Sequence, residues 1–411
     1  MGSPGDGTVE EPVNREPPAE ELVQSSLTAS KRPGTPDPEA YDRNHGPIQY
    51  INASTHKLAI RSEPALGSSD VLPTPIDVTL SMDDLGHKFR QHTVICALQC
   101  AGNRRNELRS RVKEVTGVDW GDGAVMNAAW TGPLLRDVLV DCGLSAKRYL
   151  KEYDGLHVQL ECNATKVQED EWYGSSVPLE VVVDPEREAL LALHMNGTPL
   201  PARHGGPVRA IIPGIIGARS VKWLDTIIVS SRESQNHYQQ HDYKILPAEA
   251  TSPEKAEELG VWDSTPAMQD NPVNSVVTVP AHDGDEVKRD RHGRVRIAGY
   301  AIPHGKGGPV ERVQVSIDKG NTWMDARILD DGDEKTTHPA NKGKGDSRGK
   351  FSWVLWEVED VEVQPAENVS IWSKATDRAG NTMDEKVPEG NWNLRGVGYN
   401  AVQGRTGVRI V

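Results

Sequence analysis

The sequence predicts an α+β domain followed by an immunoglobulin-like β-sandwich, and three observations predict it. At 411 residues the chain has room for two or three domains. Between residues 41 and 255, apolar β-branched runs are interspersed with a helical pattern and many loops. Between residues 265 and 411, short alternating segments follow one another between turn signals, with no convincing helix.

Residues 1–40 hold seven of the 28 prolines, many Glu, Ser and Gly, and no aromatic residue. Such a segment buries too little apolar surface to offset its ordering entropy, so a disordered N-terminal tail is expected there. Order is expected from Tyr41. Residues 94–98, 181–183 and 227–229 read as strands. Residues 132–143 read as a helix, with Leu134, Leu135, Val138 and Leu139 on one face and Gly143 as its C-cap. In the second part, residues 276–279, 294–300, 313–317, 351–356 and 368–372 read as sandwich strands. Asp283-Gly284 and Lys319-Gly320-Asn321 supply turns between them. Residues 335–350, rich in Gly and Lys, are expected as a loop, and the acidic residues 330–334 as a solvated turn.

Acidic residues number 60 against 46 basic, for a net charge of −14. A surface of that sign repels nucleic acid and anionic membrane, so neither is an expected partner. No run approaches the ~18 apolar residues of a membrane span. The first residues lack the basic and apolar regions of a secretory leader. The four cysteines, 96, 100, 142 and 162, crowd into the first domain, which is not a disulfide framework. The expected setting is intracellular, with the cytosol first.

Cys96 and Cys100 resemble half a zinc site, but no second half follows. Cys100 ends an apolar strand and precedes Ala101-Gly-Asn-Arg-Arg105. A thiol in such a turn, beside two guanidiniums, is favoured as thiolate; a core cysteine with two solvated arginines is the alternative. Residues 343–350 suggest a phosphate loop, yet no apolar strand precedes them and no helix follows. His204-Gly-Gly-Pro-Val-Arg209, with Arg219, Ser220 and Lys222 after it, sets donors beside glycines that let backbone amides approach an anion. The alternative there is a turn-rich core segment with ordinary surface cations.

Taken together, Gln99-Cys-Ala-Gly-Asn-Arg-Arg105, Gly117-Val-Asp-Trp120 and Trp130 resemble the molybdenum-cofactor domain of the sulfite oxidase family. So do Arg43-Asn-His-Gly-Pro47, Met195-Asn-Gly-Thr-Pro-Leu-Pro201, the 204–209 segment and Gly217-Ala-Arg-Ser-Val-Lys-Trp-Leu224. Residues 265–411 resemble the family's dimerisation domain, ending in Trp392-Asn-Leu-Arg-Gly396. The resemblance implies Cys100 as the ligand to molybdenum. It implies Arg43, Asn44, His45, His204, Arg209, Ser220, Val221 and Lys222 as holders of the molybdopterin. It implies an oxyanion pocket of Arg43, Arg105, Trp120, Tyr243 and Arg395. Sulfite carries up to two negative charges, which guanidiniums, a phenol and an indole N–H neutralise and orient. The chain departs from the family at Cys162-Asn-Ala-Thr165, where an acidic residue is usual, and in its longer C-terminus, residues 398–411.

The implied activity is oxidation of sulfite to sulfate by oxygen-atom transfer, with the electrons passed to oxygen or a cytochrome. Nitrate reductases share the Cys-Ala-Gly-Asn-Arg-Arg segment and are the alternative. Tyr243, Arg395 and Gly123 favour sulfite, since the nitrate enzymes carry Asn, Met and Lys there. A non-catalytic cofactor-binding or interaction protein is the second alternative. A molybdenum-only form is expected, without haem or flavin, because residues 1–40 contain no His-Pro-Gly-Gly signature and no further module follows Val411. A homodimer through the sandwich is expected, on the strength of Trp353, Trp356 and Trp372. Plant-type relatives imply a peroxisomal alternative to the cytosol, and the mitochondrial intermembrane space stays open.

Overall fold

The computed structural model describes residues 12–28, 40–66, 69–145, 153–329, 349–385 and 392–411. The apolar run ending at Cys100 forms the strand Gln91–Gln99, which pairs antiparallel with Val125–Pro133 along its whole length. His194–Met195 and Thr198–Pro199 extend this sheet from the far edge. A five-stranded sheet stands beside it, in the order Asp77–Ser81, Lys57–Ser62, Thr226–Ser230, His157–Cys162, Tyr173–Pro178. Its central pair, Lys57–Ser62 and Thr226–Ser230, is parallel.

Strand Val125–Pro133 runs into the helix Leu135–Asp141, whose buried Leu135, Val138 and Leu139 are those the helical period picks out. Gly143 closes this helix at φ +121, a conformation that costs a side-chain-bearing residue a Cβ clash. These leucines share one apolar cluster with Leu58, Ile60, Leu160, Ile227 and Val229 of the five-stranded sheet. Residues 181–183, expected as a strand, lie in the helix Leu179–Val183, with Leu179 and Val182 buried in the same cluster. Tertiary burial overrode β-branched propensity there.

The second part of the chain forms two facing antiparallel sheets. One runs Asn274–Val279, Arg294–Ile302, Val354–Glu362, Arg327–Leu329. The other runs Glu286–Val287, Gln403–Ile410, Ala366–Asp377, Val310–Ser316, Met324–Asp325, with its first pair parallel. The long C-terminus is thus an inner strand, Gln403–Ile410. Trp356, Ile297, Val313, Ile371 and Val408 fill the space between the sheets, each worth roughly 1.5–3 kcal/mol on burial. The residue 330–334 turn and residues 335–348 of the expected loop lie outside the described residues.

Two expectations are corrected. Trp356 is fully buried in the sandwich's own core, Trp372 packs against that core, and Trp353 is buried in a separate cluster. These tryptophans therefore form no exposed dimer face. Within residues 1–40, Asn14–Arg15 pairs with Asp42–Arg43 and residues Ala19–Thr28 form a helix. Ala19, Leu22 and Val23 are buried against Ala97 and Val125 of one domain and Tyr300, Ile302 and Trp353 of the other. Three apolar side chains on one helical face suffice to order a segment that its overall composition reads as tail; residues 1–11 and 29–39 lie outside the described residues.

Arg104 joins the two parts. It is 1% exposed and forms two hydrogen bonds with Glu107, at 3.0 and 2.9 Å. Further bonds reach across to Asn274 Oδ1 at 2.9 Å, the Ala401 carbonyl at 2.9 Å and the Gln403 carbonyl at 2.6 Å. A buried guanidinium satisfied from both sides fixes the sandwich against the first domain.

Candidate active site

A cleft opens where the two sheets of the first domain meet, with several polar side chains converging on it as at ligand sites. Arg43, Arg209 and Lys222 line it, together with Asn44, His45, Cys100, Ser220, Val221 and Tyr243, and among the described residues no carboxylate does. The thiol of Cys100 comes from the end of strand Gln91–Gln99, whose direction is fixed when Cys100 N–H donates to the Ala124 carbonyl at 2.9 Å. At 6% exposure the residue is buried, more so than its turn setting in the sequence suggests.

The polar wall is wired so that its charge is met by carbonyl oxygens. Arg209 donates to the His204 carbonyl at 2.9 Å and the Ser220 carbonyl at 2.7 Å, and lies over the Trp130 ring at 5.3 Å. Burial draws its value down to about 10. Lys222 is partly buried, and its Nζ donates to Asn44 Oδ1 at 2.8 Å and the Arg203 carbonyl at 2.7 Å. Burial first, and the neighbouring Arg209 second, hold it well below the usual lysine range. A desolvated cation whose hydrogen bonds go to neutral oxygens, with Asp42 acting on it only through space, favours an anionic ligand.

His45 connects two of the pocket's groups. A guanidinium only donates, so at 2.9 Å His45 Nδ1 accepts from Arg43. His45 Nε2 then carries the proton and donates to the Tyr243 hydroxyl at 2.9 Å. Burial, reinforced by Arg43, holds the imidazole neutral, well below its ordinary value. The Tyr243 O–H is thereby left free to donate to a ligand. Its own ionisation is pushed up by burial, so it stays a donor.

Arg105, Trp120, Arg395 and His204 stand behind the cleft's lining. Arg105 is enclosed by Gly102, Gly117 and Gly396, where any Cβ would press on its side chain. Its Nε donates to the carbonyls of Arg395 and Gly396, both at 3.2 Å, and NH1 to the Val118 carbonyl at 2.7 Å. Burial lowers its value, with Cys100 and Tyr243 close enough to act against that. Trp120 is 2% exposed, and its Nε1–H has no hydrogen-bond partner. Arg395 forms an ion pair with Asp242 and donates to Thr116 Oγ1 at 3.2 Å. His204 is fully buried, 3.7 Å from Asp42.

Sequence reasoning missed several residues. Tyr41 and Tyr173 line the cleft as apolar walls; Cys162 and Thr165, which the sequence already marks as the departure from the family pattern, line it too. Asp42 carries Arg15 and Arg203 and so holds the segment that presents Arg43. The signal for Tyr41 and Asp42 was their position beside Arg43. Tyr173 carried no local signal, since stacking on His45 at 5.3 Å makes it a wall.

Residues 45–238 match the family model of the oxidoreductase molybdopterin binding domain, and residues 265–403 that of the Mo-co oxidoreductase dimerisation domain. The chain is 39% identical over 393 residues to a mitochondrial sulfite oxidase of Rattus norvegicus, covering 95% of this chain and 63% of that protein. It is 34% identical over 395 residues to a sulfite oxidase of Arabidopsis thaliana, covering 94% and 89%. It is 33% identical over 397 residues to an NADH nitrate reductase of Phaseolus vulgaris, covering 95% and 41%. The chain thus spans less than two thirds of the rat protein's length. In fold it is similar to the sulfane dehydrogenase SoxCD from Paracoccus pantotrophus, at TM-score 0.65 and 21% identity, over 89% of this chain and 79% of that one.

The buried cations make a pH prediction. A lysine with a depressed folded-state value releases its proton before the unfolded chain does, so Lys222 adds to stability as pH rises from that value toward the ordinary 10.5. Sulfate bound beside Lys222 relieves the strain that exists while the lysine is charged. Sulfate should therefore raise the Tm of the cofactor-free chain, more so on the acid side of that depressed value, where Lys222 is charged, than in the ordinary lysine range. An equal gain at both ends, followed by scanning fluorimetry, would place the sulfate elsewhere.

Proposed function

Because this chain belongs to the sulfite oxidase family of molybdopterin oxidoreductases, we propose that it oxidises sulfite to sulfate, passing two electrons to oxygen or a cytochrome. The observation that carries this reading is the cleft itself: a buried thiol, three lining cations and a phenol poised to donate, with no lining carboxylate among the described residues. The donor set fits the group that the family carries. Cys100 is a soft ligand for molybdenum, and Asn44, His45, Arg209, Ser220, Val221 and Lys222 line the space for a phosphate-bearing pterin, backed by His204. When bound, that cofactor supplies the two-electron redox chemistry and the transferred oxygen.

The chain's own residues supply charge and position. Arg43, with Arg105 and Arg395 behind it, neutralises the oxyanion, and Tyr243 and Trp120 offer it neutral donors. Tyr243 donates outward because His45 occupies its acceptor side. Gly123 supports sulfite over nitrate, because a side chain there would strike the Pro17 carbonyl. The lysine of the nitrate enzymes has no room beside that N-terminal segment.

Cys100→Ser should keep the fold and lose nearly all sulfite oxidation, since a hard alcohol replaces a soft thiolate while the pterin contacts remain. Near-normal turnover with molybdenum bound would remove Cys100 as ligand. Rates with oxygen, ferricyanide and cytochrome c, offered separately, identify the acceptor.

Arg395→Met should raise KM for sulfite, because it removes a positive charge from behind the pocket and leaves the Asp242 carboxylate unpaired there. An unchanged kcat/KM would take Arg395 out of the pocket.

We also propose a homodimer formed through residues 265–403, on the match to a dimerisation domain and no longer on the tryptophans. Sedimentation at micromolar concentration should give twice the chain mass, and a monomer there would end this reading.

A further inference from the structure

The N-terminal strap, residues 13–23, touches the pocket at two points and is anchored at a third. Asn14 pairs with Arg43 in the short sheet, and Arg43 NH1 donates to Asn14 Oδ1 at 3.0 Å. Asn44 Nδ2 donates to the Val13 carbonyl at 3.0 Å. Two residues on from Asn14, the Glu16 carboxylate accepts from Gly121 N–H at 2.8 Å and Gly123 N–H at 2.7 Å. Both amides belong to the loop that follows Trp120. This loop lies in no helix or strand, so its course depends on where its N–H groups find acceptors. Gly123 leaves no space for a Cβ against the Pro17 carbonyl, so loop and strap are in close contact. The helix Ala19–Thr28 then locks the strap through Leu22 and Val23 into the junction of the two domains.

Trp120, which this loop presents, is itself nine-tenths buried with an indole N–H that finds no acceptor among the described residues, and its ring meets Tyr41 edge-on at 6.4 Å. We propose that Glu16 is a positioning residue of the oxyanion pocket. By binding both amides of the Trp120 loop from a strap that also grips Arg43, it sets the spacing between the Trp120 N–H and the Arg43 guanidinium. This rests on the sulfite reading of the pocket. A purely structural Glu16 would contribute stability and leave anion affinity untouched.

The test uses Glu16→Ala and Glu16→Gln in the full-length, molybdenum-loaded protein, with molybdenum content, sulfite kinetics against ferricyanide, and sulfate affinity by calorimetry. Losing two hydrogen bonds to a charged acceptor should raise KM for sulfite and Kd for sulfate together by about tenfold, with kcat within about twofold. Molybdenum per chain should not change. The Gln variant keeps one acceptor oxygen and should fall between the two. Hydrogen exchange across residues 120–124 should quicken in both variants. A lower Tm with unchanged KM and sulfate Kd would overturn the proposal, as would a fall in kcat alone. If the Ala variant does not fold, the Gln variant decides by the same measures. A wild-type protein that binds sulfate yet does not oxidise sulfite would fail the functional reading, and the sulfate affinities would still judge Glu16.

Discussion

Desolvated positive charge is what the rest of this structure depends on. Arg104, Arg105, Arg209 and Arg219 are all buried. Among the described residues, Arg104 alone of the four has a carboxylate at hydrogen-bond distance, that of Glu107. The other three donate mainly to carbonyl oxygens: Arg105 to Arg395 and Gly396, Arg209 to His204 and Ser220, Arg219 to Met268 and Tyr238. Carbonyls satisfy the hydrogen bonds of a guanidinium without cancelling its charge. The chain is strongly acidic as a whole, yet its interior at this point is cationic, and the proposed anion site rests on that contrast.

The same interior charge ties the second domain to a site built mainly by the first. Adjacent residues Arg104 and Arg105 serve opposite ends of the interface. Arg104 turns toward Asn274, Ala401 and Gln403 and fastens the sandwich. Arg105 turns toward Cys100 and Tyr243, held by carbonyls of residues 395 and 396. The loop that ends the Trp392-Asn-Leu-Arg-Gly396 run therefore supplies acceptors for one arginine and carries another, Arg395, which Asp242 orients. Positioning of the pocket and docking of the domains are one set of hydrogen bonds.

Where local patterns were strong, they were legible: the strand before Cys100, the helix ending at Gly143, the sandwich strands at regular spacing. Residues 181–183 misled because three consecutive valines look alike in a buried strand and a buried helix. The N-terminal segment misled because composition averages over forty residues, whereas ordering needed Leu22 and Val23 on one face and one carboxylate, Glu16, within reach of two amides. The tryptophans misled about their direction, since alternation identifies a strand's two faces without saying which partner covers each.

The sequence by itself determined the kinds of chemistry available: one thiol at a strand end, a concentration of Arg, Lys and His in Gly-bordered turns, and a β-rich second half. Those follow from residue identity and short-range spacing, which the chain carries locally. Tertiary structure alone decided which cations reach the cleft and which brace it from behind. Arg395 and Arg105 stand 290 positions apart in sequence and share a carbonyl contact; His45 and Tyr243 stand 198 apart and share a proton's direction. Such pairings depend on the packing of whole sheets, and no local period encodes them.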